Sequence, residues 1–180
     1  MKRTACILVL IASAFFVDRH VAFSQDQSAS SATQVRSGFQ FRLSVPLERA
    51  APLFGPEGER CWAGERWDPQ FVHPQPAKDV QGAVFTVQHG ATKSVWVNTL
   101  FDLSTGRMQY VSFIPDALVS TVDVRLTPLD ANTTSVEVTY TRTALSVNAN
   151  AHVHVLATSD RASGPQWQQA IQSCLTKQVR

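Results

Sequence analysis

Two histidines separated by one residue, His152 and His154, have the spacing that most suggests metal chemistry. On a strand both would lie on one face and could bind the same ion, whereas on a helix they would point about 200° apart. A metal site would also need a third ligand, and the sequence contains no Cys-x-x-Cys, His-Glu-x-x-His or carboxylate-rich motif to supply it. We therefore predict no metal site and interpret the two histidines as polar residues at the start of a helix.

A second set of polar side chains lies in the irregular segment 59–78. The polar residues that could orient a ligand there are Glu65, Arg66, Asp68 and His73. The aromatic residues of the same segment are Trp62, Trp67 and Phe71. Long loops in compact domains are usually functional or held in place by their own side chains. Both interpretations stay open: the segment borders a ligand site, or its rings hold it to the body of the protein while its charges face water.

Motifs for other chemistries are missing from the sequence. It has no Gly-x-Ser-x-Gly nucleophile elbow, P-loop or Gly-x-Gly-x-x-Gly motif, so hydrolase, kinase and dinucleotide-binding functions lack support. A Ser-His-Asp triad cannot be recognised from sequence, because its members meet only in space. We predict no catalytic residue and no cofactor.

The N-terminal segment is typical of a secretory signal. Lys2 and Arg3 precede an apolar run over residues 5–17, which is shorter than the roughly 20 residues that a membrane-spanning helix needs. Residues 22–24, Ala-Phe-Ser, offer small side chains at the two positions that signal peptidase recognises. We predict a signal peptide over 1–24, cleavage before Gln25, and a secreted or periplasmic protein with no stable membrane span. An uncleaved anchor is the alternative.

Cleavage would leave a formally neutral chain. The segment 1–24 holds three of the 16 basic residues and one of the 14 acidic residues, so 13 of each remain. Nucleic-acid binding requires a basic surface, which a neutral chain with dispersed charges does not provide.

Hydrophobic residues make up 44% of the sequence and charged residues 17%, which excludes disorder as the dominant state and predicts one packed domain.

Export would also leave two cysteines, Cys61 and Cys174, in a compartment where disulfides persist. A bridge between them would close a loop of about 113 residues, worth about 4–5 kcal/mol in the chain-entropy model. The alternative is a pair of free, buried thiols that act as small hydrophobic side chains. The sequence leaves both alternatives open.

Hydrophobic periodicity predicts the elements that must position these residues. Residues 25–37 are mostly Ser, Ala, Gln and Thr and predict a flexible leader. Alternation from Phe39 to Val45 predicts a first strand, and helical spacing over 47–54 predicts a short amphipathic helix. Five further strands are predicted at 80–87, 94–103, 107–114, 119–127 and 135–142. After them, 3.6-residue spacing predicts a long C-terminal helix with Ser163 as its cap and Pro165 in its first turn.

The predicted strands are joined by hairpins, so the sheet should be antiparallel, and only the long helix is available to cover it. One helix cannot fill a curved six-stranded sheet with side chains alone, so we expect a residual hollow. Any single strand residue could equally be part of the core. The residues on strands that could line the hollow are Trp96, Asn98, Leu100, Tyr110, Phe113 and Tyr140.

The order of elements resembles the START-like, or helix-grip, superfamily (SRPBCC), which includes pollen-allergen-type, polyketide cyclase/dehydrase and lipid-transport proteins. The resemblance covers about 38–175, and its motifs are patterned rather than specific. The segments that carry it are 41–49 (FRLSVPLER), 59–69 (ERCWAGERWDP), 82–86 (GAVFT), 136–145 (VEVTYTRTAL) and the helix of Trp167. It implies an α+β domain over 38–180: a curved antiparallel six-stranded sheet wrapped around a long C-terminal helix, with a short helix and a long loop after the first strand.

The resemblance further implies an apolar cavity between the sheet and the helix, with the Trp-bearing loop near its entrance. We therefore expect an exported protein that binds a small hydrophobic molecule or lipid. The alternatives are a cyclase/dehydrase-type enzyme that uses a cavity His or carboxylate as acid and base, and a structural or stress-related envelope protein with a filled core. The predicted lining combines the strand residues above with Trp62, Trp67, Phe71, His73 and Trp167.

Overall fold

The computed structural model describes residues 32–177, and the predicted signal peptide and cleavage site lie outside the described residues. Within this range the chain forms one antiparallel sheet of seven strands in the order β1-β7-β6-β5-β4-β3-β2. The strands are β1 (Gln34–Leu43), β2 (Gln70–His73), β3 (Val84–His89), β4 (Thr92–Asp102), β5 (Arg107–Ile114), β6 (Leu118–Asp130) and β7 (Thr133–Ala144). The sheet is curved and unclosed, and helices follow it at the C-terminal end, so the predicted α+β helix-grip architecture is confirmed.

The first strand begins earlier than its predicted start. β1 pairs with β7 along its whole length, from Gln34 opposite Thr143 to Leu43 opposite Thr134. Residues 34–37 of the predicted leader are therefore part of the strand. Ser37 is buried there, and its hydroxyl donates to Asp160 at 2.6 Å, a partner that the local sequence pattern does not reveal.

The strand count is seven rather than the predicted six, because β2 lies within the segment predicted to be irregular. This short edge strand pairs with β3, with Phe71 opposite Phe85 and their rings stacked at 5.6 Å. Prolines flank it at 69 and 74. Four residues between prolines are too few for alternation to stand out, and proline is tolerated at sheet edges.

The helices are shorter and more numerous than predicted. The first predicted helix is α1 (Leu47–Ala50) followed by a 3₁₀ turn (Ala51–Phe54), and α2 (Pro56–Glu59) comes next. The C-terminal helical region consists of α3 (Asn150–Ala162) and α4 (Gly164–Lys177), separated by Ser163.

The break at Ser163 agrees with the predicted start of the last helix, but this residue does not act as a side-chain cap. Its hydroxyl donates backwards to the Ser159 carbonyl at 2.9 Å. α3 packs against β1 and β7, and α4 packs against β1. Over residues 32–177, no helix has both the length and the apolar character needed to cross a bilayer.

Candidate functional site

A cavity of about 270 Å³ lies between the sheet, α4 and the chain that follows α2. We call it the aromatic cavity, because six of its lining side chains are tryptophan or tyrosine. Its lining residues are Glu59, Trp62, Ala63, Trp67, Trp96, Tyr110, Val122, Val124, Tyr140, Gln166, Trp167 and Ala170.

Strand pairing accounts for the wall that the sheet contributes. Val122 on β6 lies opposite Tyr110 on β5 and opposite Tyr140 on β7, so the three residues form one row across the sheet. Successive side chains alternate between the two faces of a sheet, so Val124 lies on the same face as Val122. This regular row is the floor of the cavity.

Two indole side chains hold the loop after α2 and also form a wall of the cavity. Trp62 donates its indole N–H to the Leu53 carbonyl at 2.7 Å, and Trp67 donates to the Pro56 carbonyl at 2.9 Å. The Trp67 ring meets Trp96 edge-on, with ring centroids 5.6 Å apart. The two interpretations of this loop are therefore compatible, since the same rings hold the loop and line the cavity.

The other wall belongs to α4 and is covalently joined to the loop. Trp167 lies against Trp62, with ring centroids 4.7 Å apart. Cys61, the neighbour of Trp62, forms a disulfide with Cys174, two turns after Trp167 on α4, with a Cα–Cα distance of 5.7 Å. Of the two alternatives for the cysteines, the structure has the disulfide. It keeps the two tryptophan-bearing segments together.

Glu59, at the end of α2, brings a carboxyl group to the cavity lining. Burial raises the pKa of this carboxyl well above its ordinary value, and the charge of the nearby Asp79 raises the pKa further. Asp79 is held in place by the backbone N–H groups of Glu57 and Gly58, at 2.9 and 3.2 Å. A carboxyl in this environment keeps its proton to a higher pH than an exposed glutamate does, and while protonated it can donate to a bound molecule.

The two tyrosines of the floor are neutral aromatic surfaces. The Tyr110 hydroxyl donates to the Phe54 carbonyl, and burial raises the pKa of Tyr110 well above its ordinary value. Burial also raises the pKa of Tyr140. The Arg142 guanidinium lies 4.1 Å from the Tyr140 ring centroid and forms a buried ion pair with Asp160 on α3.

Six of the eleven predicted lining residues border the cavity: Trp62, Trp67, Trp96, Tyr110, Tyr140 and Trp167. Leu100 and Phe113 do not. The register of β4 against β5 shifts between Asn98 and Leu100, so Thr99 is the extra residue of a bulge. A bulge reverses the alternation, which places Leu100 opposite Gln109 and on the other face from Tyr110. Phe113 is an odd number of residues from Tyr110 and is 41% exposed on that other face.

The remaining three predicted lining residues also lie outside the cavity wall. Phe71 stacks on Phe85, and His73 is exposed on the edge strand β2. Asn98 is fully buried, and its side-chain amide donates to the Val80 carbonyl at 3.2 Å. These three side chains have roles in packing or at the surface rather than in the lining.

The prediction missed six lining residues: Glu59, Ala63, Val122, Val124, Gln166 and Ala170. The alternation of β6 could have indicated the two valines. Gln166 lies one residue before Trp167 and Ala170 three residues after it, so their closeness to Trp167 in the sequence could have indicated them. Glu59 had no such signal, because its position depends on how α2 packs.

The histidines at 152 and 154 are exposed on α3. Their side chains do not share a face there, as expected for a helix. The described part of the chain contains no cluster of three side chains that could hold a metal ion.

No protein-family model matches the chain, and no curated protein matches it. Several solved structures do match the chain. A point mutant of norcoclaurine synthase from Thalictrum flavum, in complex with a transition-state analogue, is 9% identical with a TM-score of 0.63, covering 83% of this chain and 99% of that one. Ara h 8.0201 is 13% identical with a TM-score of 0.56, covering 80% and 99%.

The Zhui aromatase/cyclase from Streptomyces sp. R1128 is 11% identical with a TM-score of 0.57, covering 82% of this chain and 97% of that one. At such low identities the likeness concerns the fold. The chain has the helix-grip fold that these solved structures share.

Proposed function

We propose that this chain is an exported protein that binds a small hydrophobic molecule in the aromatic cavity. The observation that carries the proposal is an unfilled space of about 270 Å³ bordered by six aromatic rings. Pockets for drug-sized ligands usually span roughly 300–1,000 Å³. The smaller volume favours a molecule of one or two rings over a diacyl lipid.

Export is supported by the disulfide and by the N-terminal sequence. The Cys61–Cys174 bridge would be reduced in most cytosolic environments and persists in the periplasm or outside the cell. The apolar run over 5–17, preceded by Lys2 and Arg3, supplies a route to such a compartment. N-terminal sequencing of the protein from the periplasmic or secreted fraction tests this part, and an intact Met1 in the cytosolic fraction would contradict it.

Native mass spectrometry tests ligand binding directly. The protein is soaked with a panel of one-ring and two-ring aromatic molecules, single-chain lipids and diacyl lipids. We expect retention of small aromatic molecules in a one-to-one ratio. Retention of only diacyl lipids would contradict the size argument, and retention of nothing would overturn the proposed function.

A matched pair of substitutions shows whether the binding site is the cavity. Ala170→Phe on α4 places a ring in the cavity without removing a hydrogen bond, and we expect it to weaken binding at least about tenfold, or 1.4 kcal/mol. Ala151→Phe, on the exposed side of α3, adds the same ring away from the cavity and should leave binding unchanged. Equal affinity in both variants would place the site elsewhere.

A second candidate function, acid–base catalysis, is favoured by one specific observation, the Glu59 carboxyl with its raised pKa in the cavity lining. For any molecule that the panel identifies, conversion is followed by mass spectrometry. If the protein is an enzyme, Glu59→Gln should abolish conversion and retain binding. Stable retention of every bound molecule without conversion would leave binding as the function.

A further inference from the structure

The hydrogen-bond donors around the aromatic cavity are largely occupied by the protein itself. Three of its four indole N–H groups and one of its two phenol hydroxyls donate to protein oxygens. The donor–acceptor pairs are Trp62 to Leu53 O (2.7 Å), Trp67 to Pro56 O (2.9 Å), Trp96 to Ser94 Oγ (2.8 Å) and Tyr110 to Phe54 O. These rings therefore offer a ligand their π faces rather than N–H or O–H donors.

The described cavity lining contains an acidic group and no basic group. Glu59 is its single carboxyl, and none of the twelve described residues that line the cavity is Lys, Arg or His. Arg142, whose guanidinium lies 4.1 Å from the Tyr140 ring centroid, is held in its buried ion pair with Asp160. Ring faces carry the negative end of the aromatic quadrupole, so the rings and the carboxyl together favour a positive charge. An anionic ligand would find no cation among these lining residues, where the donors left for a ligand are the Trp167 indole N–H, the Tyr140 hydroxyl and the Gln166 amide.

We propose that the ligand of this cavity is a small organic cation, an alkylammonium or quaternary ammonium group joined to an apolar body, with the charged group beside Glu59 and the ring faces. The proposal rests on the proposed function and specifies its ligand class. Cation–π contacts form within about 6 Å of a ring centroid and are stronger when the cation is desolvated. The enclosing tryptophans and tyrosines provide that environment.

Binding of such a cation should release a proton. In the empty cavity burial favours the neutral Glu59 carboxyl. A cation beside it favours the carboxylate, so the O–H bond of Glu59 breaks, the electron pair stays on the carboxylate, and the proton passes to the solvent buffer. Charge is conserved, because one cation enters and one proton leaves.

The other titratable groups that face Glu59 from neighbouring elements do not release the proton in its place. Asp79, from the chain before β3, adds negative charge and favours both the neutral Glu59 in the empty cavity and a cation when one is bound. Tyr110 on β5 and Tyr140 on β7 have raised pKa values and stay neutral. On α2 and just after it, Glu57 and Arg60 pair with each other at 2.9 Å.

Two probes of nearly the same shape test the proposal: benzyltrimethylammonium, which carries a permanent charge, and neopentylbenzene, which has carbon in place of the nitrogen. All four tryptophans of the sequence line the cavity, so intrinsic fluorescence reports binding there. We expect the cation to bind more tightly than the neutral probe, with an affinity that rises with pH, by up to about tenfold per pH unit, over the range in which binding ionises Glu59. The neutral probe should show no such dependence.

Glu59→Gln should remove the pH dependence of cation binding and reduce the preference for the cation over the neutral probe. Glu48→Gln, an exposed position on α1, is the matched control and should behave like the original protein. If Glu59→Gln does not fold, calorimetry of the unaltered protein in two buffers of different ionisation enthalpy measures the same quantity. Up to about one proton should be released per cation bound, and none per neutral probe.

The outcomes separate the two proposals. If the neutral probe binds and the cation binds no better, or binds without proton release, the cation inference is overturned and the proposed function stands. If neither probe binds and the wider panel also gives no complex, the proposed function fails, and the cation inference fails with it.

Discussion

Replacing Cys61 by serine removes the covalent connection between the loop after α2 and α4. Cys61 is exposed, so the new hydroxyl remains solvated, and Cys174 keeps its buried sulfur in the core. The substitution therefore removes the cross-link with little change in packing. We expect a large loss of stability and weaker retention of any ligand in the aromatic cavity.

The size of the loss follows from the length of chain that the bridge closes. The two cysteines are 113 residues apart. The chain-entropy relation gives about 16 cal/mol/K for a loop of this length, or about 4.8 kcal/mol at 25 °C. Domains of ordinary stability unfold with about 5–15 kcal/mol, so the variant should lose a third or more of its free energy of unfolding.

Urea unfolding followed by tryptophan fluorescence measures this loss. The oxidised protein should unfold at a much higher urea concentration than Cys61→Ser. Reductant should lower the midpoint of the original protein to that of the variant and should leave the variant unchanged. A loss below about 1 kcal/mol would refute the chain-entropy reasoning for this bridge, and a reductant effect on the variant would show that another process is being measured.

Three further predictions concern other parts of the structure. Asp160→Ala leaves the buried Arg142 without its partner and should cost about 3–5 kcal/mol in urea unfolding, while Asp160→Ala combined with Arg142→Met should recover most of it; equal losses would contradict the ion-pair argument. Gly58→Ala would place a Cβ against the Pro52 carbonyl oxygen and should cost about 1–3 kcal/mol, and an unchanged melting temperature would contradict that close approach. Because the pKa of Glu59 is raised on folding, the ligand-free native state loses stability as pH rises from the unfolded pKa towards the folded one. Glu59→Gln should therefore match the original protein near about pH 4 and exceed its stability near about pH 8, and a pH-independent difference would count against the buried carboxyl.

Alternation was sufficient to predict the strands that have one buried face. Val122 and Val124 face the core and Arg125 faces solvent, so the period of two is visible in the sequence of β6. The element order then led to the helix-grip fold, because an antiparallel sheet with one buried face needs the C-terminal helices as its cover.

The cavity lining was harder to predict, because it depends on local backbone geometry and tertiary packing. Thr99 has no side-chain feature that marks it as the extra residue of a bulge, yet the bulge moves Leu100 to the opposite face. Glu59 is placed in the lining by α2, whose N-terminal N–H groups bind the Asp79 carboxylate about 20 residues later in the chain. Such long-range partners leave no periodic pattern.

The break at Ser163 lets the two C-terminal helices be fixed at different points. α3 is fixed to the sheet by Asp160, which binds Ser37 and Arg142, whereas α4 is fixed to the loop by the bridge from Cys174. Any widening of the space beneath Trp167 therefore has to move α4 against two restraints, its bridge to the loop and its packing against β1, while the attachment of α3 stays intact. These two restraints on α4 limit how large a guest the fold can admit.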